Sequence, residues 1–96
     1  MQTLEKTLAK LDTEKAVASF LTDLCTPAER RALIERWAVA QLLDQGELSY
    51  RDIHAKTGVS TTTIGRVARF LREEPHGGYR HALDRLKTKE SLKEKS

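Results

Sequence analysis

Cysteine, proline and aromatic residues are scarce in this chain, and each scarcity excludes something. One cysteine, Cys25, among 96 residues rules out an internal disulfide, which needs two thiols. Two prolines, Pro27 and Pro75, leave long uninterrupted stretches. Five aromatic residues argue against a sheet-rich fold, where such side chains are favoured. No apolar run approaches the roughly 18 residues of a membrane span, and the N-terminus lacks the apolar core of a signal peptide. The expectation is a cytoplasmic protein with no membrane association. His54, His76 and His81 lack the i, i+4 spacing of a helical metal pair. His76-Gly77-Gly78 is not accompanied by the Gly-x-Ser-x-Gly elbow of a hydrolase, and reads as a hinge. Cys25 has no Cys/His signature around it that would activate a nucleophile and reads as a buried structural thiol. No enzyme chemistry and no metal site are expected.

What is present is helical. Between punctuation the chain is rich in Ala, Leu, Arg and Glu, a helix-forming composition. Leu4, Leu8 and Leu11 share one face of a first helix. Thr13 caps a second, with Val17, Phe20, Leu21 and Leu24 inward. Thr26-Pro27-Ala28-Glu29 is a strong helix start: a capping threonine, proline at the first helical position, glutamate at the third. The third helix carries Leu33, Trp37, Ala40 and Leu43 at helical spacing, has its apolar run interrupted near the end by Asp44, and stops at Gln45-Gly46. Tyr79, Ala82, Leu83 and Leu86 mark a last helix after the loop Glu74–Gly78. Residues 1–87 form one domain of about six helices, and residues 88–96 read as a charged flexible tail.

The middle of the chain is the most specific part. Ser49 caps a short helix over about 49–56, Gly58 supplies the positive φ of a tight turn, and Ser60 caps a second helix over about 60–73. Helix, turn and helix over about 49–72 have the form of a helix-turn-helix, whose second helix enters the DNA major groove. Ile53, Val59, Ile64 and Val67 should be buried to hold the corner. Thr61, Thr62, Gly65, Arg66 and Arg69 form the outward face, with Ser60 at its start and Arg51 and Lys56 placed to anchor backbone. Gly65 inside a helix costs about 0.5–1 kcal/mol against alanine, which suggests a close approach to DNA backbone or to another helix. Charge follows the motif: residues 1–48 carry six Lys/Arg against eight Asp/Glu, residues 49–72 five against one, and residues 73–96 six against five. The positive excess sits where phosphate neutralisation needs it. The expected function is a duplex-DNA-binding transcriptional regulator. The alternative is a helical protein-interaction module that has lost DNA binding.

Thr26-Pro27-Ala28-Glu29-Arg30-Arg31-Ala32-Leu33, Leu43, Gly46-Glu47-Leu48-Ser49, Thr63-Ile64 and Arg66 resemble the bacterial tryptophan repressor family, without a gap across residues 26–70. Gly77-Gly78-Tyr79-Arg80 and Ala82-Leu83-Asp84-Arg85-Leu86 look more like a small branch of that superfamily. The resemblance implies an all-α, intertwined homodimer that acts as a repressor, presenting two helix-turn-helix heads to successive major grooves. It implies a shared core of Leu8, Leu11, Phe20, Leu21 and Trp37. It also implies a small-molecule corepressor site at Thr26, Arg36, Thr63 and Arg66. Phe70 stands where the family has a serine near the ligand amine. A phenyl ring cannot accept that hydrogen bond, which disfavours tryptophan and leaves the corepressor's identity open.

Overall fold

The computed structural model describes residues 1–95, with side-chain surroundings given through Thr88. Its elements are α1 (Leu4–Lys10), α2 (Glu14–Leu24), α3 (Pro27–Gln45), α4 (Tyr50–Thr57), α5 (Thr61–Arg72) and α6 (Gly78–Lys95). No strand occurs among the described residues, so the expected all-α class holds, with six described helices. Ser96, the end of the segment read as a tail, lies outside the described residues. The backbone of residues 88–95 continues α6, whereas the sequence led us to expect the helix to fray from about Lys87.

Local chemistry explains the helix starts. Thr3, Thr13, Ser49 and Ser60 each accept a hydrogen bond from the amide three residues on, satisfying a donor that the helix itself leaves free. Thr26 and Glu29 cap α3 reciprocally: the Glu29 amide donates to Thr26 Oγ1 at 3.1 Å, and the Thr26 amide donates to Glu29 Oε1 at 2.8 Å. That bond from the Thr26 backbone holds the Glu29 carboxyl below its ordinary range. Ser49 and Asp52 form a second such box at α4.

The chain divides into two compact units, residues 1–33 and 34–96. In the first, α1, α2 and the opening turns of α3 bury no residue. Leu8, Leu11, Val17, Phe20 and Leu21 are half-buried, while Leu4, Leu24 and Leu33 are 47%, 52% and 42% exposed. Arg30 donates to the Thr22 hydroxyl at 2.6 Å, linking α3 to α2. Cys25, expected to be buried, is half-buried at the C-terminus of α2.

The second unit holds the core. Val39, Ala40, Leu43, Ile53, Val59, Ile64, Val67 and Ala68 form one buried cluster, with Trp37, Leu42, Leu48, Leu71 and Tyr79 packed against it. All four residues expected to hold the helix-turn-helix corner, Ile53, Val59, Ile64 and Val67, are at most 5% exposed. Trp37 stacks on Tyr79 with ring centroids 6.4 Å apart, so it is a packing residue between α3 and α6. Asp44, which broke the apolar run of α3, accepts from Arg80 and, at 2.7 Å, from Lys87. These two pairs clasp α3 to α6. The hydrogen bond from Lys87, reinforced by the charge of Arg80, holds the Asp44 carboxyl below its ordinary range despite the opposing effect of partial burial.

Candidate nucleic-acid interface and adjoining cleft

The turn between α4 and α5 is built by hydrogen bonds that leave little freedom. Gly58 has φ 76° and ψ −1°, a left-handed conformation that side chains with a Cβ adopt at a cost. Its amide donates to the His54 carbonyl at 2.8 Å. The Thr57 hydroxyl donates to the Ile53 carbonyl at 2.7 Å and accepts from the Val59 amide at 3.1 Å. His54 Nδ1 donates to the Val59 carbonyl at 2.7 Å. His54 therefore ties α4 to the turn, a role that its sequence context did not suggest.

With the corner closed, α5 divides sharply. Ile64, Val67 and Ala68 face inward and are buried. Thr61, Thr62, Arg66 and Arg69 are exposed, and Gly65 is half-buried between them. Arg51, Lys56 and Ser60 are also exposed. Every residue assigned to the DNA face therefore lies on α4 or α5, or at the α5 cap. Ser60 Oγ accepts from the Thr63 amide and lies 3.1 Å from Thr63 Oγ1, to which it donates, so its hydroxyl works first as a helix cap. A Cβ built on Gly65 meets nothing within 4 Å. The glycine is not required by a neighbouring helix of the same chain, so that half of the expectation is withdrawn.

Behind the outward face of α5 lies an open cleft of about 410 Å³, lined by Arg36, Arg66, Val67, Phe70, His76, Gly78 and Tyr79. Small-molecule sites span roughly 300–1,000 Å³. The lining holds two guanidinium groups and no carboxylate. Arg36 has no ion-pair partner among the described residues, Glu35 and Glu29 included. The Arg66 guanidinium lies over the Phe70 ring, 4.4 Å from its centroid, and the His76 ring stacks on Phe70 at 6.0 Å. Arg36, Arg66 and Phe70, three of the five residues assigned to a ligand, thus meet in one cleft. Thr63 is half-buried and engaged with Ser60 rather than lining it. Thr26 uses its hydroxyl to cap α3. His76 and Tyr79 line the cleft without having been singled out for it. The turns at residues 73–76, which follow α5, bring His76 back over Phe70, a contact six residues apart that no helical spacing signals. Among the described residues no group of three or more His, Cys, Asp or Glu could hold a metal ion. No described helix is long and apolar enough to cross a membrane.

Comparison with known proteins points one way. A family model described as "Trp repressor protein" matches residues 1–87. An "Uncharacterized protein YerC" of Bacillus subtilis is 43% identical over 72 residues, covering 75% of this chain and 67% of that protein. A "Trp operon repressor homolog" of Vibrio cholerae is 46% identical over 52 residues, covering 54% of this chain and 50% of its own length. Its counterpart in Aliivibrio fischeri is 46% identical over 52 residues, covering 54% and 48%. The chain thus matches about half the length of these repressor homologs.

Proposed function

Because the chain belongs to the Trp repressor family, a family of DNA-binding transcriptional regulators, we propose that it is a homodimeric repressor that reads duplex DNA with α5. One observation carries the reading: the corner that buries Ile64 and Val67 turns Thr61, Thr62, Arg66 and Arg69 together to solvent. Hydroxyls and guanidinium groups on one helical face suit phosphate oxygens and base edges. Arg51 and Lys56 on α4 supply backbone anchors. The dimer is supported by residues 1–33, whose apolar stripes contain no fully buried residue. A helical pair of that length is marginal by itself, and a second copy gives Leu4, Leu24 and Leu33 a covering surface. Two heads on such a dimer would address half-sites about one helical turn apart. The protein works in the cytoplasm, where such regulators meet their operators.

The Arg36–Arg66 cleft is the place for a corepressor. Two unopposed guanidinium groups select an anion, and Phe70 already occupies the face of Arg66. A compact carboxylate or phosphate ester fits this better than tryptophan, whose ring would have to displace Phe70.

The test is a salt-titrated binding assay on duplexes selected from random DNA. Wild-type protein is expected to retain duplex at about 50 mM salt and lose affinity steeply as salt rises. Arg69→Ala is expected to weaken binding with the fold intact. If Arg69 meets a phosphate, the salt slope drops by about one; if it meets a base, about 1–3 kcal/mol of discrimination is lost at one position. No retention of any duplex at about 50 mM salt would refute DNA binding and favour the protein-interaction reading.

A further inference from the structure

The loop after α5 acts on Arg69 through both backbone and side chain. The Arg69 carbonyl accepts from the Glu73 amide at 2.8 Å and from the Glu74 amide at 3.0 Å, which fixes where Glu74 sits. The Glu74 carboxylate then pairs with Arg69, its closest approach 3.5 Å, to Nε. The Arg69 guanidinium also lies 5.2 Å from the Phe70 centroid. It is thus held between a carboxylate and a ring face while its side chain stays 53% exposed. The contact is made at Nε, not at the two terminal nitrogens that carry most of the donors. Arginine loses considerable rotamer freedom when it is fixed, and ordering it beforehand removes part of that cost from binding.

We propose that Glu74 is a specificity-determining residue for the DNA reading above, acting as a positioning residue through Arg69. The proposal rests on that reading. Glu74 has two effects of the same sense. It aims the terminal nitrogens of Arg69, which favours a base edge at one fixed place. It also places a negative charge beside the phosphates, which weakens binding to any duplex that offers Arg69 no base contact. Together they raise the ratio of specific to non-specific affinity. Glu73, the neighbouring acid, forms no ion pair with Arg69 among the described residues and serves as the control for charge alone.

The experiment uses the full-length protein, a duplex selected from random DNA by the wild type, and a scrambled duplex of equal length. Glu74→Gln is expected to tighten binding to the scrambled duplex and to lower the specificity ratio about two- to five-fold, the scale of an exposed ion pair. Glu73→Gln is expected to shift both affinities together and leave the ratio unchanged. In an Arg69→Ala background, Glu74→Gln should no longer change the ratio, because the residue acts through Arg69. An unchanged ratio in Glu74→Gln, or an equal fall in the Arg69→Ala background, would overturn the proposal and leave DNA binding standing. Wild type that binds neither duplex would overturn the DNA reading, and this inference with it.

Discussion

Replacing Gly65 with alanine separates folding from DNA contact, because the two respond in opposite directions. Gly65 sits within α5, where glycine is less favourable than alanine by about 0.5–1 kcal/mol. An added Cβ meets nothing within 4 Å in the free chain, so no steric cost offsets that gain. Gly65→Ala should therefore stabilise the protein by about 0.5–1 kcal/mol. For a domain of this size that raises Tm by about 2–8 °C, measured by circular dichroism at fixed protein concentration. In the complex the same methyl group points from the face shared by Thr62, Arg66 and Arg69. If DNA backbone approaches Gly65 closely, a methyl group there costs about 1–3 kcal/mol, the range for overpacking, or roughly five- to 150-fold in affinity. The expected variant is thus more stable and binds duplex more weakly. A lower Tm would refute the open-space argument. A higher Tm with unchanged affinity would refute the close approach and leave the glycine without a role at the interface.

Gly58→Ala forces a Cβ into the left-handed turn at φ 76° and should cost about 1–2 kcal/mol, read from the midpoint of urea unfolding with an unchanged slope. Asp44→Asn removes the carboxylate that clasps Arg80 and Lys87; with both cations about half exposed, the loss should be about 0.5–1 kcal/mol at pH 7. Because the folded-state pKa of Asp44 lies below the ordinary value of 3.8, that stability is present above about pH 4 and is lost as pH falls through the depressed pKa. Wild type and Asp44→Asn should therefore converge in stability under acid titration, and a gap that persists there would refute the clasp. Leu24→Glu, on the exposed apolar surface of α2, should shift the species seen by light scattering from dimer towards monomer. A wild-type monomer at every concentration would refute the dimer.

The elements that were legible in the sequence are those whose causes are local. Thr13, Thr26-Pro27, Ser49 and Ser60 announced helix starts because a capping oxygen and the amide that donates to it lie within three residues of each other. The helix-turn-helix core was legible because Ile53, Val59, Ile64 and Val67 sit at fixed offsets from Gly58. Contacts that depend on the fold were not. Asp44 looked like an interruption of an apolar run, because its partners lie 36 and 43 residues away. His76 looked like a hinge, because its stacking partner Phe70 is reached only through the turns at residues 73–76. Glu74 belonged to no motif at all. Leu33 shares its helical spacing with Trp37, Ala40 and Leu43 yet is 42% exposed, since periodicity shows which face is apolar and not what covers it. The continuation of α6 to Lys95 was missed because Lys, Glu and Ser provide no apolar stripe to mark it.

Arg66 belongs both to the outward face of α5 and to the wall of the cleft, and this joins the two sites physically. Its guanidinium lies on Phe70, and the His76 ring stacks on that same phenyl group. An anion entering beside Arg36 would draw on Arg66 and press on the ring it covers. Any movement of Phe70 reaches Arg69, which also lies against the ring, and Glu74, two residues before His76 on the same loop. A ligand could alter DNA binding by this route without touching DNA, but only if it binds the free and DNA-bound arrangements of these side chains with different affinity. By the same linkage, operator DNA must then change the affinity for the anion by an equal factor. Calorimetry of inorganic phosphate or a small carboxylate, with and without duplex, measures that factor. A factor of one would place the cleft outside the regulatory machinery, even if the anion binds well.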